Sequence, residues 1–356
     1  MRIVIAMSGG VDSSVAAALV ARSGTEAVGV SMQLYDQREG AAGHGFGSCC
    51  TLDDLQDARR VANVLGIPHY IMNFERQFEE QVIGNFVGEY ARGRTPLPCA
   101  HCNSGLKFST LLDRARGFGA DAVATGHYAR VDRDSGTGRY RLRRGRDHQK
   151  DQSYFLFALT QEQLARAHFP VGELTKPDVR EHARQLGLPV AEKPDSHEIC
   201  FVPDDDYATF VSRRRGDIQP GVITDREGHV LGRHGGIHHF TVGQRKGLGL
   251  STGRPMYVLA LDAEAQRVVV GPAASLENRQ LVTCDVNWIS GAPPSSSVRA
   301  TVQIRHRHPA AAAVVTPLPD GRAQVVFEEP QRAVAPGQAA VFYDGDVVLG
   351  GGWISS

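Results

Sequence analysis

Residues 6–14 read AMSGGVDSS and stand between two stretches of different character. The apolar residues 3–7 predict a β-strand, and the alanine-rich residues 13–22 predict an α-helix. Glycine lets a backbone approach an anion closely, and the first amides of a helix point toward an anion placed before it. The hydroxyl groups of Ser13 and Ser14 can add hydrogen-bond donors. The order of strand, glycine loop and helix therefore predicts a phosphate-binding loop.

Strand and helix patterns alternate from this loop up to residue 202. Further strands are predicted over residues 27–32, 69–73 and 122–125. Helices are predicted over residues 52–65, from the end of the third strand to about residue 90, and over residues 103–118. Such alternation is typical of βαβ units, so we expect an α/β fold with a doubly wound parallel sheet. Ligands of such sheets bind at the carboxyl ends of the strands.

The pattern changes after residue 205, where glycine-rich turns and short β-type segments replace the helices. From residue 281 onward, short strands such as residues 298–305, 323–327 and 339–343 alternate with turn residues and predict a small β-barrel. We therefore predict three domains. They are an α/β domain over residues 1–202, a small central domain over residues 203–275 and a C-terminal β-barrel over residues 276–356.

The composition excludes several classes of protein. Of the 356 residues, 42% are hydrophobic and 22% are charged, which excludes a disordered chain. The 39 basic and 39 acidic side chains exclude a uniformly basic nucleic-acid binder. No run of about 18 apolar residues predicts a membrane span, and the first residues lack a signal-peptide pattern, so we expect a cytoplasmic protein without a membrane partner. Only five of the 39 basic residues are lysine, and the many arginines suit contacts with phosphate groups.

Six cysteines occur, and a chain of this size in the cytoplasm does not need disulfides for stability. Cys102 lies in the run PCAHCN directly before a predicted helix, where the helix dipole lowers the pKa of a thiol and makes it a candidate nucleophile. Cys200 follows acidic residues and adjoins an apolar run. Cys49 and Cys50 are interpreted as structural, and Cys284 as a buried residue of a barrel strand. The histidines show no zinc-binding spacing, so no structural zinc is predicted.

The glycine loop lacks the Gly-Lys-Ser/Thr ending of a Walker A loop and the spacing of a dinucleotide fingerprint. It resembles the S-G-G-x-D-S loop of the PP-loop ATP pyrophosphatases, whose members cleave ATP between the α- and β-phosphates. That resemblance implies an adenine nucleotide alpha-hydrolase-like fold and ATP as a substrate. It also implies that Asp12 lies where Mg²⁺ meets the phosphates.

Further segments extend the resemblance over almost the whole chain. In chain order they are LGIPHY (65–70), CN…KF (102–108), TGHY (125–128), KDQSYFL (150–156), CFV (200–202), HFTVGQRKG (239–247) and PGQAAVFY (336–343). Together with the glycine loop they resemble the tRNA-uridine 2-sulfurtransferases, or 2-thiouridylases, which thiolate the wobble uridine of tRNA. So many matches in one order argue against a chance resemblance.

The resemblance implies roles residue by residue. ATP would be bound by the glycine loop and two neighbours: Ala6, Met7, Ser8, Gly9, Gly10, Val11, Asp12, Ser13, Met32 and Gly126. Cys200 would carry a persulfide received from a sulfur-relay protein or a cysteine desulfurase, and Cys102 would be the nucleophile that releases its sulfur. The tRNA would meet Leu97, Pro98 and Cys99 beside the target base, and elsewhere His127, Lys150, Asp151, Gln152, Arg305, His306 and Gln338.

The implied reaction is chemically coherent. The C2 oxygen of uridine is a poor leaving group, and adenylation by ATP converts it to AMP with release of pyrophosphate. A persulfide sulfur then attacks C2 and AMP departs. The base must first be flipped from the anticodon stack, which costs a few kcal/mol. The family prefers tRNAs for Lys, Glu and Gln, and basic runs at residues 139–150, 213–215 and 299–307 are expected to supply phosphate contacts.

One departure from the family pattern leaves the sulfur chemistry open. Cys99 occupies a position at which many relatives have aspartate. Cys99, Cys102 and Cys200 could therefore ligate a 4Fe–4S cluster with one open iron, as in some related tRNA thiolases. Alternatively, Cys99 is a bystander thiol. Two other functions also stay open, namely a different PP-loop enzyme, such as an ATP-dependent amidotransferase or synthetase, and a non-enzymatic tRNA-binding protein.

Overall fold

The computed structural model describes residues 1–35, 51–195, 199–202 and 206–355. Its first sheet consists of β1 (Arg2–Ala6), β2 (Glu26–Gln33), β3 (His69–Asn73), β4 (Ala122–Ala124) and β7 (Ala167–His168). The strands lie in the order β3-β2-β1-β4-β7, and every neighbouring pair is parallel. The predicted parallel α/β sheet is confirmed.

Helices cover both faces of this sheet. Alternate residues of its central strand, β1, are therefore buried on opposite sides. Ile3 and Ile5 pack into an apolar cluster with α1 (Val11–Arg22), α2 (Leu52–Leu65) and α8 (Lys176–Gln185). Val4 packs into a second cluster, on which lie α3 (Glu75–Phe78), α4 (Gly84–Ala91), α5 (Pro98–His101) and α6 (Leu111–Arg116). The other elements are α7 (Gln161–Leu164), α9 (Tyr207–Arg214) and the 3₁₀ turns Ser153–Leu156, Ile237–His239 and Ala273–Leu276.

Two π-helical turns join helices of the second face. Glu79–Ile83 connects α3 to α4, and Cys102–Thr110 connects α5 to α6, so each pair forms one continuous helical run. The helix expected to begin at residue 103 begins at Pro98, since proline suits the first helical position and has no amide that needs a partner. Cys102 therefore lies one turn inside the run, which corrects the position predicted for it, and Cys99 lies in the first turn.

The second sheet lies in the central part of the chain. Its strands are β8 (Gly221–Thr224), β9 (Val230–His234), β10 (Tyr257–Asp262) and β11 (Arg267–Gly271), in the order β10-β11-β8-β9. β8 and β11 are parallel, whereas the other two pairs are antiparallel. Ile223, Val258 and Val268 are among the residues of its apolar core.

The C-terminal residues form a closed barrel, as predicted. Its strands are β12 (Glu277–Trp288), β13 (Val298–Gln303), β14 (Ala311–Leu318), β15 (Arg322–Arg332), β16 (Ala339–Asp344) and β17 (Val347–Ile354). They follow the order β12-β15-β14-β13-β16-β17, and pairing of β12 with β17 closes the ring. Closure removes the exposed strand edges that an open sheet would have.

A hairpin of β5 (Ala129–Arg133) and β6 (Tyr140–Arg144) leaves the parallel sheet and joins the barrel. β6 pairs with the start of β17, where Val347 lies opposite Arg143. Asp346 accepts from Arg143 at 2.8 Å and from Arg130 at 2.6 Å, so ion pairs reinforce this junction. The local strand patterns do not predict this pairing, because it joins residues that lie about 200 positions apart in the chain.

Among the described residues, no helix has both the length and the apolar character needed to cross a membrane. Cys49 and Cys50, for which a structural role is predicted, lie outside the described residues, as do residues 196–198 before Cys200.

Candidate active site

The glycine loop, residues 6–14, joins β1 to α1 at the carboxyl end of the parallel sheet. The Met7 amide donates to the Val30 carbonyl at 2.8 Å, and the Ser31 hydroxyl donates to the Met7 carbonyl at 2.7 Å, so β2 anchors the start of the loop. Gly10 occupies the N-cap of α1 and has no side chain that could accept from the first helical amides. That end of α1 therefore suits an anionic ligand.

Serine hydroxyls hold the loop in one conformation. Ser13 Oγ lies 3.2 Å from both the amide nitrogen and the hydroxyl oxygen of Ser8, and it donates to the Gly10 carbonyl at 3.1 Å. Ser14 Oγ donates to the same carbonyl at 2.8 Å. Because the loop is ordered before a ligand enters, binding costs less conformational entropy.

Two glycines permit direct contact between the loop and its neighbours. Gly9 has a φ of +74°, and a Cβ there would lie 2.2 Å from the carbonyl oxygen of Asp54 at the start of α2. Gly126, two residues after β4, lies against the loop, where a Cβ would be 2.6 Å from the Ser13 nitrogen. Met32, also predicted to bind ATP, is buried on β2. The predicted ATP-binding residues thus meet at one edge of the sheet.

Asp12, the second residue of α1, is held by two partners from distant parts of the chain. Lys176 Nζ donates to both of its carboxylate oxygens, at 2.8 and 2.9 Å. The Tyr128 hydroxyl donates to Oδ1 at 2.7 Å. Burial and the neighbouring Asp12 carboxylate raise the pKa of Tyr128, so Tyr128 stays a neutral donor.

Asp195 extends this network away from the loop. Its carboxylate lies 2.8 Å from Lys176, 2.7 Å from Lys150 and 3.3 Å from Arg180. Burial opposes its ionisation, but hydrogen bonds from Lys150 and Lys176 lower the pKa of Asp195 to about 2. The side chain is therefore a carboxylate at any physiological pH.

A second lysine braces the other side of the loop. Lys193 Nζ donates to the Gly9 carbonyl at 3.1 Å, to Asp54 at 2.6 Å and to Asp57 at 2.7 Å. Thr51 caps α2 through a reciprocal pair of bonds with Asp54, which fixes that carboxylate. Lys193 thus ties the glycine loop to the first turn of α2.

Sequence patterns alone do not single out Lys176, Lys193, Asp195 or the hydroxyl of Tyr128. One signal was available, because lysine is rare in this chain and three of its five lysines, the third being Lys150, meet around the loop. Sequence spacing could not reveal the meeting, since Lys176 lies 164 residues from Asp12 and Lys193 lies 184 residues from Gly9.

The cysteine segment, residues 97–102, lies on the opposite face of the sheet from α1. Cys102 is 9% exposed, Cys99 is half-buried, and both are thiols. Three residues apart in a helical run, they share one face. Asn103 donates to the Phe155 carbonyl at 3.2 Å and accepts from Lys107 at 2.9 Å, which anchors the start of the π-helical turn.

The C-terminal barrel contacts the residues that directly precede the cysteine segment. Gln338 Nε2 lies 3.2 Å from the carbonyl oxygens of both Thr95 and Pro96, and the Thr95 amide donates to the Pro336 carbonyl at 2.8 Å. Gly337 has a φ of +88°, and a Cβ there would lie 2.9 Å from the Thr95 oxygen. The contact is therefore backbone against backbone.

An aromatic stack makes a second contact between the barrel and the segment. The ring of His101, between the two cysteines, lies parallel to the Trp353 indole with centroids 4.4 Å apart and planes at 5°. Phe157 meets the Trp353 indole edge-on, with ring centroids 5.4 Å apart. Burial lowers the pKa of His101, although Glu89 opposes the shift, so a neutral imidazole is favoured in the stack.

Cys200 borders the same apolar cluster as Cys102. Cys200 is half-buried against that cluster, and the next residue, Phe201, meets Phe78 and Phe86 edge-on at 5.5 and 5.1 Å. These two phenylalanines flank the π-helical turn Glu79–Ile83, which α5 also contacts. The two segments that carry the predicted reactive thiols therefore pack on one helical run.

Comparison with known proteins gives three family matches in chain order. They are a tRNA methyl transferase HUP domain over residues 1–204, a tRNA methyl transferase PRC-barrel domain over residues 208–272 and an aminomethyltransferase beta-barrel domain over residues 278–354. A relative from Geotalea uraniireducens is 54% identical over 99% of this chain and 94% of its own length. One from Geobacter metallireducens is 54% identical over 100% of this chain and 97% of its own. Both are named tRNA-specific 2-thiouridylase MnmA.

The chain belongs to the tRNA-specific 2-thiouridylase family. Among solved structures, an NMN synthetase from Francisella tularensis aligns with a TM-score of 0.34 at 17% identity, over 60% of this chain and 73% of that chain, which is too distant to carry an argument.

Several residues that the family resemblance assigns to tRNA lie where the barrel meets the rest of the chain. Arg305 donates to the carbonyls of Val242 at 3.1 Å and Ala333 at 2.7 Å, and burial lowers its pKa. His306 Nε2 lies 3.2 Å from the Asp151 carbonyl oxygen. In this structure both side chains connect parts of the protein to one another.

The remaining residues of that set differ in exposure. His127 is buried with Nδ1 2.6 Å from the Thr125 hydroxyl, and burial holds the pKa of His127 well below its usual range. Asp151 is buried and accepts from a guanidinium at 2.8 Å, and Gln152 accepts from a backbone amide at 3.0 Å. Lys150 keeps 41% of its side chain exposed, which leaves it accessible to a large anionic partner.

Proposed function

We propose that this chain thiolates C2 of the wobble uridine in tRNA, by adenylating the C2 oxygen with ATP and replacing AMP with sulfur from a persulfide on Cys200. The observation that carries the proposal is the presence of two different sites on one parallel sheet. An anion-binding loop with lysines around it lies at one edge, and two cysteine-bearing segments share an apolar cluster. A family of tRNA-specific 2-thiouridylases supplies the reaction class.

The residues at the loop fit ATP and Mg²⁺. The N-terminus of α1 and the ammonium group of Lys176 offer positive charge to phosphates, and the Asp12 carboxylate is the kind of hard oxygen ligand that Mg²⁺ takes. When bound, Mg²⁺ would neutralise charge on the departing pyrophosphate. The loop backbone would orient the α-phosphate toward the uridine oxygen, and the ordered serine hydroxyls would keep that orientation.

The cysteines would then transfer sulfur. The terminal sulfur of a Cys200 persulfide attacks C2, a C–S bond forms, and AMP leaves with the C2 oxygen. The Cys102 thiolate next attacks the Cys200 sulfur, which breaks the sulfur–sulfur bond to the nucleotide and forms a Cys102–Cys200 disulfide. Electrons of the broken bond stay on the sulfur at C2. A thiol reductant must reduce the disulfide before the next turnover.

Cys99 supports a second form of the sulfur chemistry. It lies on the same helical face as Cys102, so with Cys200 the chain offers three thiolates, the donor set of a 4Fe–4S cluster with one open iron. In that form the open iron would hold the sulfur. The donor protein would be a sulfur-relay protein or a cysteine desulfurase in the persulfide route.

The tRNA would bind along the contacts between three domains, proposed as residues 1–202, 203–275 and 276–356. Leu97, Pro98 and Cys99 would adjoin the flipped base, and Lys150, His127, Arg305, His306 and Gln338 would lie along the remaining surface. Because most of these side chains have partners within the chain, tRNA binding would exchange or extend those contacts. The preferred tRNAs would be those for Lys, Glu and Gln.

The proposal is tested with unmodified tRNA transcript, ATP and Mg²⁺, using protein purified without oxygen and assayed for iron. Separate reactions receive a persulfide source, which can load Cys200, or a sulfide source, which an open iron could take. We expect 2-thiouridine in the RNA and AMP in solution. Cys102→Ser and Cys200→Ser should each lower thiolation by about a thousandfold or more while ATP binding persists. Cys284→Ser is the matched control, since this thiol lies in the barrel and its sulfur bonds the Trp353 carbonyl at 3.6 Å.

The outcomes separate the alternatives. Activity without iron supports the persulfide route, whereas about four irons per chain with loss of activity in Cys99→Ala supports the cluster. An amidotransferase or synthetase would keep its activity in both serine variants and incorporate no sulfur. A non-enzymatic tRNA-binding protein would release neither AMP nor pyrophosphate. Absence of sulfur from the RNA with every donor would overturn the proposed function.

A further inference from the structure

Lysine is used sparingly and locally in this protein. Five of the 39 basic residues are lysines, and Lys150, Lys176 and Lys193 lie in ion pairs around the glycine loop. Arginine makes planar two-point contacts, whereas an ammonium group is a compact charge on a flexible stem that can change partners without a fixed geometry. A site that must exchange one anion for another therefore suits lysine.

Lys176 and Lys193 have different surroundings. Lys193 has three acceptors, namely the Gly9 carbonyl and the carboxylates of Asp54 and Asp57, so one cation faces two carboxylates. The ammonium group of Lys193 therefore already has its hydrogen-bond acceptors, and its surroundings are negatively charged. That arrangement suits a brace that holds the loop to α2 rather than a group that receives an anion.

Lys176 belongs to a network with the opposite balance. Asp12 and Asp195 face three cations, Lys176, Lys150 and Arg180, so these ion pairs hold one cation more than carboxylates. The nearby Asp147 carboxylate accepts from the Lys176 backbone amide at 2.9 Å. Lys176 is also the least exposed cation of the group, with 11% of its side chain accessible. An incoming anion would find this ammonium desolvated and next to the loop, where a charge contact is stronger than in water.

Asp12 cannot serve a metal ion well while Lys176 occupies both of its oxygens. The two hydrogen bonds, at 2.8 and 2.9 Å, leave the carboxylate engaged on both sides, and the Tyr128 hydroxyl adds a third donor at 2.7 Å. Asp195 holds the same ammonium from another direction at 2.8 Å. Lys176 can therefore leave Asp12 without losing every anionic partner.

We propose that Lys176 is a phosphate-binding residue that exchanges partners when ATP enters, an inference that rests on the proposed function. Its ammonium moves from Asp12 to the two phosphates that leave as pyrophosphate, and Asp195 retains it. The exchange frees the Asp12 carboxylate for Mg²⁺, while Tyr128 keeps that carboxylate oriented. Only ionic partners change, so no covalent bond or proton moves.

The test compares Lys176→Met with Lys150→Met, in which an exposed cation is removed from the same Asp195 carboxylate. Calorimetric titration with magnesium pyrophosphate, with magnesium α,β-methylene-ATP and with AMP reads binding without turnover. We expect Lys176→Met to weaken binding of the first two about tenfold or more and to leave AMP within about twofold. Lys150→Met should change all three by less than about threefold.

Two further variants keep the test decisive. Lys176→Met leaves Asp12 without its cation, so Asp12→Asn/Lys176→Met is used if the single variant unfolds early, and it should bind magnesium pyrophosphate about tenfold more weakly than Asp12→Asn alone. Lys176→Arg should bind the anion but orient it poorly, and should lower the rate of AMP formation more than it lowers affinity. Equal weakening for AMP and pyrophosphate would show a structural role and overturn the exchange.

Failure of this inference is distinguishable from failure of the proposed function. If the wild-type chain thiolates tRNA and Lys176→Met binds pyrophosphate as tightly as the wild type, the exchange is wrong and the function stands. If the wild-type chain binds none of the three ligands, the adenylation step itself is wrong.

Discussion

The glycine loop lies at the carboxyl end of the parallel sheet, the cysteine segment lies on the face opposite α1, and the two are held by different forces. Charged side chains surround the loop, since Lys176 binds Asp12 and Lys193 binds Asp54 and Asp57. At the cysteine segment, ion pairs are replaced by two kinds of contact. The Gln338 side chain donates to the Thr95 carbonyl and the Thr95 amide donates to the Pro336 carbonyl, and a neutral imidazole stacks flat on an indole.

Under the proposed function, the difference follows from what each site would receive. A phosphate chain can take over ion pairs, because its charge replaces that of a carboxylate. A flipped base and a reactive thiol need a dry surface of fixed shape, and in such a place an unpaired charge would be costly. The two sites should therefore respond differently to the same kinds of change.

The largest effect is expected from a side chain added at Gly9, where the glycine loop has no room for one. Gly9→Ala would put a Cβ 2.2 Å from the Asp54 oxygen at a φ of +74°, so the loop must move. We expect the rate of AMP formation to fall about a hundredfold or more, since a shift of about 1 Å can cost that much. Gly24→Ala is the control, because Gly24 has a similar φ of +78° with no atom near its Cβ position. Alkylation of Cys102 by iodoacetamide should not change.

The corresponding change at the other site is Gly337→Ala, which would crowd the Thr95 backbone at 2.9 Å. It should separate the barrel from the cysteine segment and lower tRNA thiolation about tenfold, with binding of magnesium α,β-methylene-ATP within twofold. Gly345→Ala is the control, because a φ of +56° in open space brings the backbone strain without the crowding, and it should keep thiolation within about twofold. A larger loss of nucleotide binding than of thiolation would contradict the separation of the two sites.

A smaller effect is expected from removing the stack of His101 on Trp353. Trp353→Leu keeps an apolar side chain but loses the parallel contact with His101, and should lower the free energy of unfolding by about 1 kcal/mol beyond the cost of lost area. Urea denaturation of this variant, of His101→Leu and of the double variant measures the coupling. Additive losses would mean that the rings contribute only as separate apolar groups.

The smallest effect is a difference in pH dependence. Burial lowers the pKa of His101, so the unfolded chain takes up a proton near pH 6.5 that the folded chain resists. The stability from this group is therefore present above pH 6.5 and is lost as the pH falls through the folded pKa. Asp195, with a pKa of about 2, keeps the loop network ionised over that range. His101→Phe should reduce the slope of unfolding free energy between pH 7 and 5, and an unchanged slope would contradict this assignment.

Local patterns were enough to predict most of the fold. The parallel sheet, the helix over residues 52–65 and the barrel were predictable, because alternation and turn residues are properties of neighbouring positions. The start of the cysteine helix was not, since Pro98 begins it five residues earlier than the apolar pattern indicates. The pairing of β6 with β17 could not be predicted either, because no local signal specifies which distant strand edge a hairpin will join.

The sequence by itself determined the glycine loop, the cysteines and the family, since these depend on residue types at short spacing and on their order along the chain. Tertiary structure decided which charges meet. Only folding brings Lys176 and Tyr128 to Asp12 across more than a hundred residues, and only folding places Trp353 on His101. Ion pairs and ring stacks act over a few ångströms in space. The number of residues between two partners in the sequence therefore does not indicate whether they will meet.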